Sequence, residues 1–276
     1  MGAALASSLI ACAPAPPLPP AALHPAIVSI NPCTDAILAE VAEPGQLRAL
    51  SAWSRDPAAS SMDVARARRF AATTGTVEEI AALRPDVVVS GTFTPPATRA
   101  ALARLGIALV EVPIAPDVAA SEAQVRQLAR LAGQPQRGEA LVGRIEAALA
   151  AAAPPPQNPV RPPVSAVVWQ AGGIVPGKGT LITDLLRRTG FTSLSAARGL
   201  GQADYLPLER MLADPPQVIL AAGEGPSGED RMLAHPALAA LPGTHRVAYA
   251  PSLLWCGGPT IIRAATRLAE VRRSVP

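Results

Sequence analysis

The chain has 276 residues, of which 49% are hydrophobic and 16% charged, and its formal net charge is +3. That composition can bury a core and excludes a disordered chain. The basic residues are spread rather than clustered, and Lys178 is the only lysine, so no nucleic-acid footprint is expected. Cys12, Cys33 and Cys256 form no C-x-x-C pair, which excludes a zinc ribbon or a thioredoxin motif. His24, His235 and His245 are scattered, so no metal site and no cofactor are expected.

The N-terminal "MGAALASSLIAC" is small and apolar but shorter than the roughly 20 residues that span a bilayer. It reads as the end of a signal peptide. "LIAC", Leu9 to Cys12, fits a lipobox, which makes Cys12 a lipidation candidate; an ordinary cleaved signal ending near Ala13 to Ala15 is the other reading. "APAPPLPPAALHP" then reads as a Pro-rich tether, so residues 1–25 are assigned to signal and tether. The folded part is expected in the periplasm, free or membrane-anchored.

From Ala26 the pattern alternates. "AIVSI" is a strand, and "NPCTDAILAEVA" a helix with Asn31 as cap and Pro32 in its first turn. "LRALS" is a strand. Thr76 opens the next helix, with Glu79 completing a capping box. "DVVVS" is a strand, "PPATRAALARLG" a helix ending at Gly106, and "IALVEV" a strand. A helical stretch interrupted at Gly133 and Pro135 ends at "PPPQNPVRPP". "SAVVW" (strand), "GTLITDLLRRTG" (helix), "LPLERMLADPP" (short helix), "QVILAA" and "RVAYA" (strands) and "GPTIIRAATRLAEVRR" (helix) follow. The expected fold is α/β: two Rossmann-like lobes with parallel sheets, residues 26–116 and 164–276. A long, largely helical linker, 117–163, joins them, and the ligand cleft lies between the lobes. A helical linker predicts small opening motions.

One module occurs twice. "TVEEIAALRPDVVVSGT", from Thr76, returns as "PLERMLADPPQVILAAGE", from Pro207, with Glu78 and Glu209, Pro85 and Pro216, and Val87 and Val218 all 131 positions apart.

Signs of catalysis are missing: the chain has no Walker A, no G-x-S-x-G and no H-E-x-x-H. "GGIVPGKGT" lacks the P-loop spacing and reads as a loop before a helix. Aromatics are rare, yet Trp53, Phe93, Trp169, Tyr205 and Trp255 fall near strand ends or module starts. Ligands of open α/β sheets bind outside the carboxyl ends of the strands. Any one ring could be core; the five together point to a ligand cleft. Arg55 could add charge there, and Arg263 less directly; both could equally be surface ion pairs. Cys33 and Cys256 read as loop residues at equivalent edges of the two lobes. Export permits a disulfide that would pin the lobes across the cleft; two buried or free thiols are the commoner outcome.

The chain from Ala26 on resembles the helical-backbone (class III) substrate-binding proteins of ABC importers, in the cobalamin and ferric-siderophore branch. "IVSINPCTDAILAEV", "GTVEEIAALRPDVVVSG", "LARLGIALVEV", "PLERMLADPPQVIL" and "LWCGGPTIIRAATRLAEV" carry the likeness. The resemblance implies that Glu78 and Glu209 dock onto arginines of a two-subunit permease with its ATPase, and that Trp53 and the "SLLWCGGP" loop face the ligand. It departs from the best-known cobalamin binder at Ala72 to Thr74, which are small where that protein has a Trp. Zinc and manganese binders of the superfamily supply several His ligands, a pattern not matched here. The expected function is an extracytoplasmic, non-enzymatic, monomeric binding subunit. It would capture a bulky metal chelate, cobalamin or another corrinoid first and a ferric siderophore or heme second. A thiol-redox protein or enzyme working through Cys33 and Cys256 is the expectation from a different class. A sensor binding the same ligand without transport is a third.

Overall fold

The computed structural model describes residues 24–155, 162–223 and 235–275. The signal, the lipobox Cys12 and most of the tether lie outside the described residues.

The first lobe runs β1 (Ile27–Ser29), α1 (Pro32–Val41), β2 (Leu47–Ser51), α2 (Val64–Ala67), β3 (Ala72–Thr73), α3 (Val77–Ala82), β4 (Val87–Gly91), α4 (Pro96–Arg104) and β5 (Ala108–Val112). Its sheet order is β3-β2-β1-β4-β5, and every pairing is parallel. The linker is α5 (Val118–Leu131) and α6 (Pro135–Ala152). It breaks where the sequence suggests. Gly133 takes φ +70°, open to glycine without steric cost, and Pro135 starts α6 where no amide donor is needed.

The second lobe runs β6 (Val164–Gln170), β7 (Ile174–Val175), α7 (Leu181–Arg188), β8 (Phe191–Ser193), α8 (Leu194–Ala197), β9 (Asp204–Tyr205), α9 (Leu208–Ala213), β10 (Val218–Ala222), α10 (Pro236–Ala239), β11 (His245–Ala248) and α11 (Thr260–Ser274). Its main sheet, β11-β10-β6-β8, is parallel; β7 and β9 form a separate antiparallel ribbon.

Strand alternation sorts the core into layers. Ile27, Val87, Val89, Val168, Val218 and Leu220 join one continuous core with α1, α5, α6, α7 and α11, which runs through both lobes. The opposite faces pack separately. Val28, Ala49 and Val88 lie against Ile80 and Leu102 in the first lobe. Val167, Trp169 and Ile219 lie against Val175, Leu206 and Met211 in the second. The linker is therefore part of the core rather than a tether between separate bodies.

The repeat is structural. α3 and α9 begin and end 131 positions apart, and so do β4 and β10. The capping box is only half formed. Thr76 Oγ1 accepts from Glu79 N at 3.3 Å, but the Glu79 carboxylate reaches back to Thr73 Oγ1, Thr74 N and Thr74 Oγ1 instead. Those bonds, the Thr73 hydroxyl foremost, lower the Glu79 pKa.

Candidate ligand cleft

In a parallel sheet all carboxyl ends share one edge. In the first lobe that edge carries Asn31 after β1, Trp53 after β2, Phe93 after β4 and Ile114 after β5. Asn31 caps α1, its Oδ1 accepting from Cys33 N at 2.9 Å. In the second lobe the chain leaves β11 through a short 3-10 turn, Pro251–Leu253, and reaches Trp255 and Cys256.

The structure joins the two edges covalently. Cys33 and Cys256 form a disulfide, 223 positions apart. This corrects the expectation of two buried or free thiols. It also corrects the placement of Cys33, which sits in the first turn of α1 rather than in a loop. The surroundings are close-fitting. Gly258 N donates to Ser121 Oγ at 2.7 Å, and Thr260 Oγ1 and Arg263 Nη2 donate to Ser61 O at 2.9 and 2.6 Å. A Cβ at Gly257 would overlap the Ser121 hydroxyl. Gly258, with φ +60°, leaves no room either, since a Cβ there would stand 2.5 Å from Ile37 Cγ1. Arg263 is thus an inter-lobe tie, neither a free cleft charge nor a surface ion pair.

Beside the disulfide lies a small hollow of about 60 Å³, lined by Cys33, Phe93, Ile114, Gln124, Trp255 and their neighbours. On the other side of Phe93 and Asn31 lies a second of about 280 Å³, with Thr74, Ser90, Thr94 and Thr98 on its wall. Neither lining includes a charged side chain among the described residues. Both are dents in an open wall, because Phe93 is 83% exposed and Trp255 56%. A larger hollow, about 500 Å³, lies away from this wall between α5, α6 and Arg188 of α7.

Trp53 is 62% exposed on the same edge of the first sheet, and Tyr205 is 55% exposed on the β7–β9 ribbon; neither lines the two hollows. Trp169 is a correction. It is fully buried in the second-lobe core with Val175, Leu206 and Met211. Both faces of β6 are covered, so its carboxyl end does not expose the ring. Arg55 is exposed and donates Nη2 to Phe70 O. Glu78 and Glu209 are exposed, each in the first turn of its helix, with no hydrogen bond or ion pair to a described residue.

Sequence reasoning missed Asp35. It is fully buried in α1 and holds the turn that presents Trp53, accepting from Ser51 N at 2.9 Å and Ser54 Oγ at 2.6 Å through Oδ2. Oδ1 has no partner among the described residues. Burial pushes its pKa up to about 8, against the lowering influence of the nearby Ser29 and Ser54 hydroxyls and the Ser51 amide. A signal existed: one acid inside the apolar run "CTDAIL", near the Ser-rich "SAWS". No group of three or more His, Cys, Asp or Glu among the described residues is placed to hold a metal, and no described helix is long and apolar enough to cross a membrane.

A family model described as "Periplasmic binding protein" matches residues 27–252. No curated protein matches the sequence. Solved structures do. The periplasmic heme-binding protein RhuT from Roseiflexus sp. RS-1, in apo form, is 22% identical with a TM-score of 0.69, over 90% of this chain and 97% of that one. The periplasmic vitamin B12 binding protein BtuF of Vibrio cholerae is 17% identical with a TM-score of 0.66, over 90% and 96%. A periplasmic binding protein from Veillonella parvula DSM 2008 is 16% identical with a TM-score of 0.71, over 91% and 92%. At these identities the likeness is one of fold.

Proposed function

The chain belongs to the periplasmic binding protein family, and from that premise we propose that it captures a bulky metal chelate, a corrinoid first, and hands it to an ABC-importer permease. Family members are substrate-binding transport proteins that deliver ligands to such permeases, and membership implies a periplasmic location. The observation that carries the cargo reading is the first-lobe wall. It offers exposed rings and neutral hydrogen-bonding groups, with no charge in either hollow. Flat rings suit the face of a macrocycle, and neutral amide and hydroxyl groups suit a rim of carboxamides. An anionic siderophore would lose its water there without gaining a cation. Trp53, Phe93, Tyr205 and Trp255 are the contacts we assign, with Arg55 at the margin.

Heme is the second reading, and Tyr205 favours it. Of the two tyrosines it alone is exposed, and a phenolate can ligate ferric iron; Tyr249 is buried. The test is tryptophan fluorescence of the protein titrated with cyanocobalamin, hemin and ferric siderophores, corrected for ligand absorbance. Saturable quenching by the corrinoid, weakened by Trp255→Ala, is expected. Quenching by hemin alone, lost in Tyr205→Phe, would transfer the assignment to heme. No response to any chelate would overturn both.

Docking is assigned to Glu78 and Glu209. A carboxylate in a first helical turn is favoured by the helix dipole, which explains one such residue. It does not explain two that are exposed, without described partners and related by the repeat. A pair on two similar lobes fits a permease of two similar subunits.

A further inference from the structure

The two sulfurs of the lobe-joining disulfide are not equivalent. Cys33 is half-buried and lines the hollow beneath Phe93 and Trp255. Cys256 is 4% exposed, and its Sγ lies 2.6 Å from the hydroxyl of Ser61, itself buried. That hydroxyl donates to no other described group. A thiolate attacks a disulfide at the sulfur it can reach, and the reaction runs faster when the departing sulfur is stabilised as an anion. Here the reachable sulfur faces the cleft, while the departing one already has a donor aimed at it.

We propose that Cys33 Sγ is a thiol–disulfide exchange site in the cleft wall, open to a dithiol reductant while the cleft is empty and covered when cargo is bound. The covering half rests on the cleft being the cargo site. In the first step a thiolate of the dithiol bonds to Cys33 Sγ, the S–S bond breaks, and Cys256 leaves as a thiolate accepting from Ser61. In the second the remaining thiol of the reductant attacks its own bonded sulfur and releases Cys33. The dithiol becomes a disulfide, two electrons pass to the protein, and both cysteines take up a proton. What is freed is local. Gly258 remains bonded to Ser121, and Thr260 and Arg263 to Ser61, so α11 stays on the first lobe. The segment released is the one carrying Trp255, which loses its anchor beside Cys33.

The test treats the oxidised full-length chain with glutathione, quenches early with iodoacetamide and maps the mixed disulfide by peptide mass spectrometry. Glutathione should be found on Cys33 at least about tenfold over Cys256, and Ser61→Ala should slow its addition severalfold. Equal labelling, labelling at Cys256, or labelling only in denaturant overturns the proposal. In a Trp53→Phe background, reduction with dithiothreitol should increase acrylamide quenching of the Trp255 emission, since Trp169 is buried; unchanged quenching overturns the release of Trp255. Cyanocobalamin, or gallium protoporphyrin as a redox-inert stand-in for heme, should slow exchange in proportion to occupancy, about tenfold when a tenth of the clefts are empty. Bound ligand with an unchanged rate overturns the covering half. If neither ligand binds, the cargo reading falls, and the ratio of Cys33 to Cys256 labelling still decides the exchange site.

Discussion

The substitution Asp35→Asn should remove the pH dependence of stability that one buried site contributes. In the fold this carboxyl has a pKa of about 8, against an ordinary 3.8, because burial penalises its charge. The native state therefore keeps a proton that the unfolded chain gives up. The stabilising contribution is complete below the unfolded pKa and is lost as pH rises through the folded one. Between pH 5 and pH 9 the wild type should lose about 4 kcal/mol from this group, of which about 1 kcal/mol remains at pH 7. The substituted carboxamide keeps an oxygen for Ser51 N and Ser54 Oγ and places its NH₂ where Oδ1 has no partner. That orphaned donor costs about 1–3 kcal/mol at any pH. Measured from the fully protonated state, the wild type has lost about 2 kcal/mol at pH 5 and about 6 at pH 9, so the variant lies within about 1 kcal/mol of it at pH 5 and is more stable by about 3–5 kcal/mol at pH 9. Glu79 and Glu111, whose pKa values are lowered, titrate on the acid side of this window with the opposite sign. Urea unfolding of both proteins at pH 5, 7 and 9 measures the difference directly. A difference independent of pH, or one that moves toward the wild type as pH rises, would refute the reasoning.

Reversing both docking charges, Glu78→Arg with Glu209→Arg, should leave ligand affinity within about twofold and abolish uptake in cells; normal uptake would remove the docking role. Gly257→Ala drives a methyl into the Ser121 hydroxyl and disturbs its bond with Gly258 N. Overpacking and a weakened hydrogen bond should together cost about 2–4 kcal/mol in urea unfolding. Cys33→Ser with Cys256→Ser opens a 223-residue loop, and chain entropy predicts a loss of about 5 kcal/mol. A fall in melting temperature that matches the effect of dithiothreitol on the wild type would confirm it.

The β-α rhythm was legible because apolar β-branched runs such as "DVVVS" and "QVILAA" are bounded by Pro and Gly, and such runs form buried parallel strands wherever they sit. The repeat was legible for a similar reason: its helix and strand pairs keep their spacing residue for residue. Two-residue strands such as β3, β7 and β9 carry no period, so they could not be read. The side chains were harder than the backbone. Trp169 and Trp255 both lie near strand ends, yet one is core and the other exposed, since only tertiary packing decides which faces are covered. The role of Asp35, on α1, depends on Ser51 arriving at the end of β2 and Ser54 in the 3-10 turn that follows it. The pairing of Cys33 with Cys256 depends on how two lobes meet, which local pattern does not encode.

The disulfide also changes the connectivity of the molecule. The backbone from Cys33 to Cys256, with the S–S bond, is a closed ring that threads both lobes and the linker. A single peptide-bond cut anywhere inside that ring, the proline-rich stretch after α6 included, still leaves one covalent molecule. The two pieces part only after reduction and unfolding. A protease in the same compartment could therefore nick this protein without separating its two lobes, and a gel run without reductant would show nothing missing.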